Sequence, residues 1–323
     1  MKLQKLIGAT ASAVAALCLT GGALAQNYPT KAVRIIVPFG AGGGTDIQGR
    51  LLSKKFYESM GQTFVIDNRP GAGGLIGADL AAKSPPDGYT ILFTTASLSV
   101  NVTLYKKISF DPVKDLVPVS WISSVPLVLT VHPSVPAKNP KELIALAKKR
   151  AGKMNAASNG SGTTSHLSIE MLKQMAGINV AHIPYKGGGP AIAALIGGEV
   201  DFTFATALAV QPFVKSGKVR PIAVTGDKKS SAFPTLPTMT SIYPGFESDN
   251  WYAMFMPTGT PQPIVDKINA EIIKALNSAE IRNFMSKEGA DPVGSTPEQL
   301  ARYFKREVDK YAKVIKAGRV EVD

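Results

Sequence analysis

Cysteine is almost missing from this chain: its 323 residues include one, Cys18. That residue lies in an N-terminal stretch that reads as an export signal, so the mature chain is expected to carry no disulfide, thiol nucleophile or thiolate metal site. Histidine is nearly as scarce. His132, His166 and His182 never stand three or four residues apart, and without cysteine a metal site has little to build on. Several enzyme signatures are absent too. There is no GxSxG and no GxxxxGK[ST]. Gly40 and Gly42 miss a dinucleotide fingerprint because Thr45 stands where the third glycine belongs, and Gly71, Gly73 and Gly77 are spaced one residue too long. Ser161 and His166, five apart beside a helix start, are poorly placed as nucleophile and base. The reading is therefore no enzyme, no metal and no cofactor. Long charge runs are lacking as well. The formal charge is +12, yet no basic block exceeds Lys148-Lys149-Arg150. Without aromatic interleaving, this describes a solvated surface that helps attract anionic ligands, not a nucleic-acid face.

The N-terminus carries what the rest lacks. Lys2 and Lys5 precede an apolar region over residues 6–19, and Ala23-Leu24-Ala25 supplies a small-x-small cleavage site. This predicts a signal peptide cut after Ala25, export to the periplasm and Gln26 as the first mature residue. Leu17 is too large for the position that lipoprotein processing wants small, which argues against a lipid anchor on Cys18. No later apolar run is long enough to span a bilayer.

What is abundant is glycine, placed between strands and helices. Residues 33–37, VRIIV, read as a buried strand stopped by Pro38. The glycine loop 40–44 follows, then a helix on which Thr45 and Gln48 fit a capping box. Residues 64–66 form a second strand, 71–74 a second glycine loop, 75–83 a helix, 89–94 a strand and 95–99 a polar turn. This alternation argues a parallel sheet flanked by helices, with ligands at the carboxyl ends of its strands. Residues 121–131 read as one strand-like run. Asn139, Pro140 and Glu142 announce a helix to about Arg150. The pattern then returns. Residues 155–164, NAASNGSGTT, are a glycine loop bearing hydroxyls and feed a helix over 165–175. Strand 180–185, loop 186–189 and a helix over 190–196 follow, then strand 200–204, a helix from 206 to 214 and strand 219–224. Prolines 234, 237 and 244 mark a connecting segment. A strand over 251–256 and an amphipathic helix at 264–276 follow, then a short helix capped by Ser278 to about Lys287. A last amphipathic helix, announced by the cap-plus-proline signal Thr296-Pro297-Glu298-Gln299, completes the chain. Glycine runs before helix starts bare backbone N–H groups at the positive end of the dipole, a ready place for a carboxylate or phosphate. Two such α/β lobes facing each other would enclose a cleft.

The motifs PFGAGGGTD at 38–46, NRPGAGGLIGA at 68–78, PPDGYTIL at 85–92, SNGSGTTSHL at 158–167 and IPYKGGGPAIAALIGGEVD at 183–201 together resemble the Bug family. These are the TctC-like substrate-binding proteins of tripartite tricarboxylate transporters. The resemblance spans essentially the mature chain. It implies an α/β, two-lobed periplasmic-binding-protein architecture of type II (Venus-flytrap), with lobes at 26–122 plus 251–323 and at 123–250. It implies a monomer that captures a small organic carboxylate by hinge closure and delivers it to membrane subunits. A ligand-sensing module for a membrane receptor is the alternative, and a secreted hydrolase a distant one. By the same resemblance the ligand would be held by Phe39, Gly42, Gly43, Thr45 and Asp46 from one lobe and by Ser161, Gly162, Thr163 and His166 from the other. Ser97, Tyr185 and Thr206 would line the sides. Neither main loop holds an arginine, so the carboxylate would rest on N–H groups and hydroxyls.

Overall fold

The computed structural model describes residues 28–105, 107–226, 229–246 and 248–318. The export signal and its cleavage site lie outside the described residues.

The first lobe is built on β1 (Val33–Val37), α1 (Gly44–Met60), β2 (Phe64–Asn68), a 3-10 turn (Ala72–Gly74), α2 (Leu75–Ala82), β3 (Thr90–Thr95), α3 (Ser97–Leu104) and β4 (Leu116–Val125). Pro126 follows, and the chain passes to a second sheet through β5 (Leu127–Val131), α4 (Pro140–Lys149), β6 (Asn155–Ser158) and α5 (Thr164–Ala176). That lobe continues with β7 (Ala181–Pro184), α6 (Gly188–Ile196), β8 (Phe202–Thr206), α7 (Ala207–Lys215) and β9 (Arg220–Val224). The chain then returns by β10 (Asn250–Pro257), α8 (Gln262–Leu276), α9 (Ala279–Glu288), β11 (Asp291–Pro292) and α10 (Pro297–Gly318).

Both sheets are mixed. The first has the order β11-β4-β10-β3-β1-β2 and the second β7-β6-β8-β5-β9. In each, three strands run parallel, β2-β1-β3 and β7-β6-β8, and a strand antiparallel to them, β10 or β5, lies beside the third. The expected parallel sheet is thus the core of each lobe, and the returning strands add the antiparallel part. The strand-like run at 121–131 is two strands in two sheets, parted at Pro126. Apolar periodicity persists across that proline because both strands are buried, but the chain changes lobe there. Val125 pairs with Asn250 and Ser124 with Trp251, so the outgoing and returning crossings leave the first sheet side by side.

Helices cover both faces of the first sheet, which is why β1 is apolar at successive positions. Ile35 and Val37 pack with Phe93, Met254 and Ile268. Ile36 faces the other way, with Leu92, Trp251 and Phe304. Caps behave as the sequence suggests at three helices. The Asn139 side chain accepts from Glu142 N–H at 3.0 Å, and Ser278 caps α9. At α10 the cap is reciprocal: Gln299 N–H donates to Thr296 Oγ1 and Thr296 N–H to Gln299 Oε1. Helix α1 differs from expectation. It begins at Gly44 with Gly43 as N-cap, no side chain caps it, and Thr45 lies in its first turn. Helix α3 is a further addition, formed where the sequence showed only a polar turn. Its SLSVNVTL carries β-branched residues and no cap, and burial of Leu98, Val100 and Leu104 holds it in place. Helix α10 lies over α3 and reaches the other lobe, where Tyr311 and Ile315 meet Leu167 of α5.

Two substitutions probe this framework by urea denaturation. Ile35→Ala, in a fully buried strand position, should cost about 2–5 kcal/mol. Asn139→Ala, which removes one cap, should cost about 1 kcal/mol.

Candidate ligand-binding cleft

Every helix that follows a parallel strand starts on the same side of its sheet, and in this structure the two sheets turn those sides toward each other. The lobes are in contact. Gly40 N–H donates to the Lys186 carbonyl at 2.9 Å. Gly73, at φ +60°, lies so close to the Ser161 carbonyl oxygen that a Cβ there would collide with it.

Between the lobes is a cavity of about 20 Å³, counted as space open to the centre of a water molecule. Its wall is assembled from helix starts. Gly43, Gly44 and Thr45 come from α1, Thr163 and Thr164 from α5, Gly188 from α6, and Thr206 with Ala209 from α7. Phe39, Asn159 and Ala205 belong to the loops and strands leading into them, and Thr95, Asn250 and Tyr252 fill the hinge side. The first N–H groups of a helix have no intrahelical partner, so four dipoles end at this cavity. Helices α1, α6 and α7 carry no side-chain cap, whereas at α5 Thr163 accepts His166 N–H. The absence of a side-chain cap on α1 leaves its donors turned to the cavity. No lining residue carries a charge. Gly44 is where the approach is tightest: a Cβ on it would lie 2.6 Å from Tyr252 Oη and 2.8 Å from Thr206 Oγ1.

Phe39 and Asn159 also border a second, outer cavity of about 210 Å³. It is lined by the glycine turn at 71–74 and by Tyr105, Ser161, Tyr185 and Lys186.

The remaining residues named from the sequence stand behind these walls. Asp46 is buried beneath the first loop. Its carboxylate accepts from Gly42 N–H at 3.1 Å, from Asn68 Nδ2 at 3.1 Å and from Arg50. Burial works against its ionised form, but the Arg50, Gly42 and Asn68 hydrogen bonds outweigh it and hold the carboxyl below its ordinary value. Asn68 also donates to the Phe39 carbonyl at 3.0 Å, so this pair sets the loop's shape. Ser97 is buried, its hydroxyl 2.9 Å from that of Thr95, and Thr95 is the one that reaches the cavity. His166 is buried and accepts Gly162 N–H on Nδ1 at 3.1 Å, its ring stacked 4.0 Å from His182. His182 Nε2 is 2.6 Å from Ser158 Oγ, which accepts from Gly160 N–H. The two imidazoles therefore form the support of the second loop. Thr163 donates both its hydroxyl proton, at 2.7 Å, and its backbone N–H, at 3.2 Å, to the Gly160 carbonyl, and its Oγ1 accepts from His166 N–H at 3.3 Å. Thr206 Oγ1 has no partner, and Asn159 Oδ1, also sealed from solvent, has none either.

Phe39, Gly43, Thr45, Thr163 and Thr206 thus line the inner cavity, and Ser161 and Tyr185 the outer one. Gly42, Asp46, Ser97, Gly162 and His166 shape the loops from behind. The sequence did not single out Asn159, Asn250 or Tyr252. Asn159 lies inside a loop already marked by its glycines. Asn250 and Tyr252 come from β10, some 200 residues from the first glycine loop, where no local motif points to a site. Among the described residues, no cluster of three or more His, Cys, Asp and Glu is placed to hold a metal.

Fold and cleft together define a two-lobed binding protein of the periplasmic type. The chain belongs to the tripartite tricarboxylate transporter family receptors, TctC, whose family model matches residues 49–319. It is 36% identical to Protein BugT of Bordetella pertussis over 319 residues, covering 98% of each chain. Among solved structures it is similar to the periplasmic binding protein BugD, with 37% identity and a TM-score of 0.88, over 91% of this chain and 99% of that one. Rpa4515 of R. palustris, solved with adipate, is 35% identical with a TM-score of 0.88, over 91% and 99% of the two chains. These are solute-binding proteins, not enzymes.

The histidine support gives the fold a pH dependence. Burial, with the Lys173 charge nearby, pushes His166 down to about 4 from its ordinary 6.5. Below pH 6.5 the unfolded chain takes up a proton that the folded chain refuses. Stability is therefore full above that value and lost as pH falls toward 4, by about 3 kcal/mol. Urea denaturation across this range should show the loss. His166→Asn, which can still accept from Gly162, should flatten it.

Proposed function

We propose that this chain is an exported solute-binding protein that captures a small organic carboxylate between its lobes and delivers it to the membrane subunits of a tripartite tricarboxylate-type transporter. The single observation that carries this is the convergence of four helix starts on one cavity without a charged side chain in its wall. Such a wall offers donors and positive dipole ends, which suit a group that only accepts. The adipate in Rpa4515 points the same way. Phe39, Gly43, Thr45, Thr163 and Thr206 would meet the carboxylate directly. Gly42, Asp46, Gly162, His166 and Ser97 would act through the loops, and Ser161 and Tyr185 would meet the rest of the ligand. The working form is a monomer, cut after Ala25 and released to the periplasm. Its lobes divide near Pro126 and Asn250, three residues and one residue from the bounds of 26–122 with 251–323 and 123–250 expected from the sequence. They close by rotation about the paired crossings, and the closed face is what the membrane subunits would read.

A thermal-shift screen of carboxylates should find a binder, and calorimetry should then compare that acid with its primary amide. The amide sets N–H against N–H in a desolvated cleft and removes the charge, so it should bind at least ~100-fold more weakly, about 2.7 kcal/mol. Equal affinities would remove the carboxylate reading. Gly44→Ala should abolish binding of the same acid while changing the melting temperature little. Its methyl group meets the Tyr252 and Thr206 hydroxyls at the point of closure.

A further inference from the structure

We infer that the ligand carries a hydroxyl on the carbon next to its carboxylate, and that the Asn159 carboxamide reads that hydroxyl. This rests on the carboxylate reading above and narrows it to 2-hydroxy acids.

The two cavities set the position. A water molecule needs about 10–15 Å³ of such space, so the inner cavity, at about 20 Å³, admits a carboxylate group and little more. The rest of any ligand must pass into the outer cavity between Phe39 and Asn159, the two residues that border both. The carbon beside the carboxylate therefore falls at this neck.

Hydrogen bonding sets the group. Asn159 Oδ1 is sealed from solvent without a partner, and so is Thr206 Oγ1, on a residue only 4% exposed. Thr206 can donate to a carboxylate oxygen. Asn159 Oδ1 cannot be answered that way, because a carboxylate brings no proton. A closed cleft leaves it unpaired unless the ligand supplies a donor at the neck.

Charge decides between the two donors an organic acid can carry there. An ammonium group would need a carboxylate nearby to leave water. Neither cavity is lined by an acidic side chain, and the oxygens of Asp46 are held by Gly42, Asn68 and Arg50. A hydroxyl needs no counter-charge. It both donates and accepts, and a carboxamide offers the matching pair, Oδ1 and Nδ2.

Calorimetry on the exported full-length protein tests this with acids that differ at one position: lactate against propionate, malate against succinate, and aspartate as the amino analogue of malate. The hydroxy member of each pair should bind roughly tenfold tighter than its plain partner, and malate tighter than aspartate. Asn159→Ala should weaken both members but bring their ratio to within about twofold, and Asn159→Ser should restore part of the preference. Melting curves without ligand verify that the variants fold, and the wild-type ratios decide the matter if they do not. Plain acids binding as tightly as hydroxy acids would mean that water answers Asn159. That result overturns this inference alone, as would tighter aspartate binding or an unchanged ratio in Asn159→Ala. Failure of every acid to bind overturns the carboxylate reading and this inference with it.

Discussion

The structure depends on bringing the first backbone N–H groups of four helices, three of them without a side-chain cap, to one place. Each is a buried polar group that costs free energy until it meets an acceptor, so the arrangement is tolerable only beside a cleft that can open to water or close on an anion. The mixed sheets supply the direction, since parallel strands put every following helix start on one side. The paired crossings at Val125 and Asn250 let the two lobes bring those sides together. Without the second lobe, each set of helix starts would simply be solvated.

Because the inner cavity has no charged side chain in its wall, the ionisable residues near it are left to build loops. Asp46, Arg50 and Asn68 bind one another beneath the first loop, and His166 stacks on His182 beneath the second. The burial and altered proton affinities of Asp46 and His166 would suggest chemistry if taken alone. Their partners show that they hold backbone in place. The Thr163 hydroxyl, turned back onto Gly160, follows the same rule.

Much of the fold was legible because its signals are local. The β-branched run of β1, the glycine loops, the Asn139 and Thr296 caps and the buried face of α10 all lie within a few residues of one another in sequence. Three features were not. Thr45 and Gln48 spell a capping box, yet α1 starts two residues earlier, with Gly43 as its N-cap and no side chain capping it. Helix α3 was hidden in a β-branched stretch that only tertiary burial makes helical. Pro126 separates two strands whose apolar patterns run on without a break. In the site, the glycine loops were readable as anion-friendly backbone. Asn250 and Tyr252 were not, since the return of the chain through β10, between β4 and β3, is what carries them to the cavity.

A cleft wall built from helix starts without charged side chains has an evolutionary consequence. A side chain that grips an anion can be lost in one substitution, whereas an N–H group is present in every residue except proline. Drift in the cleft can therefore alter what surrounds the carboxylate far more easily than it can abolish the grip itself. Residues at the neck, such as Phe39 and Asn159, are free to change one at a time while the protein remains a binder throughout. A scaffold of this kind can acquire new cargo by gradual steps, none of which passes through an empty, useless intermediate.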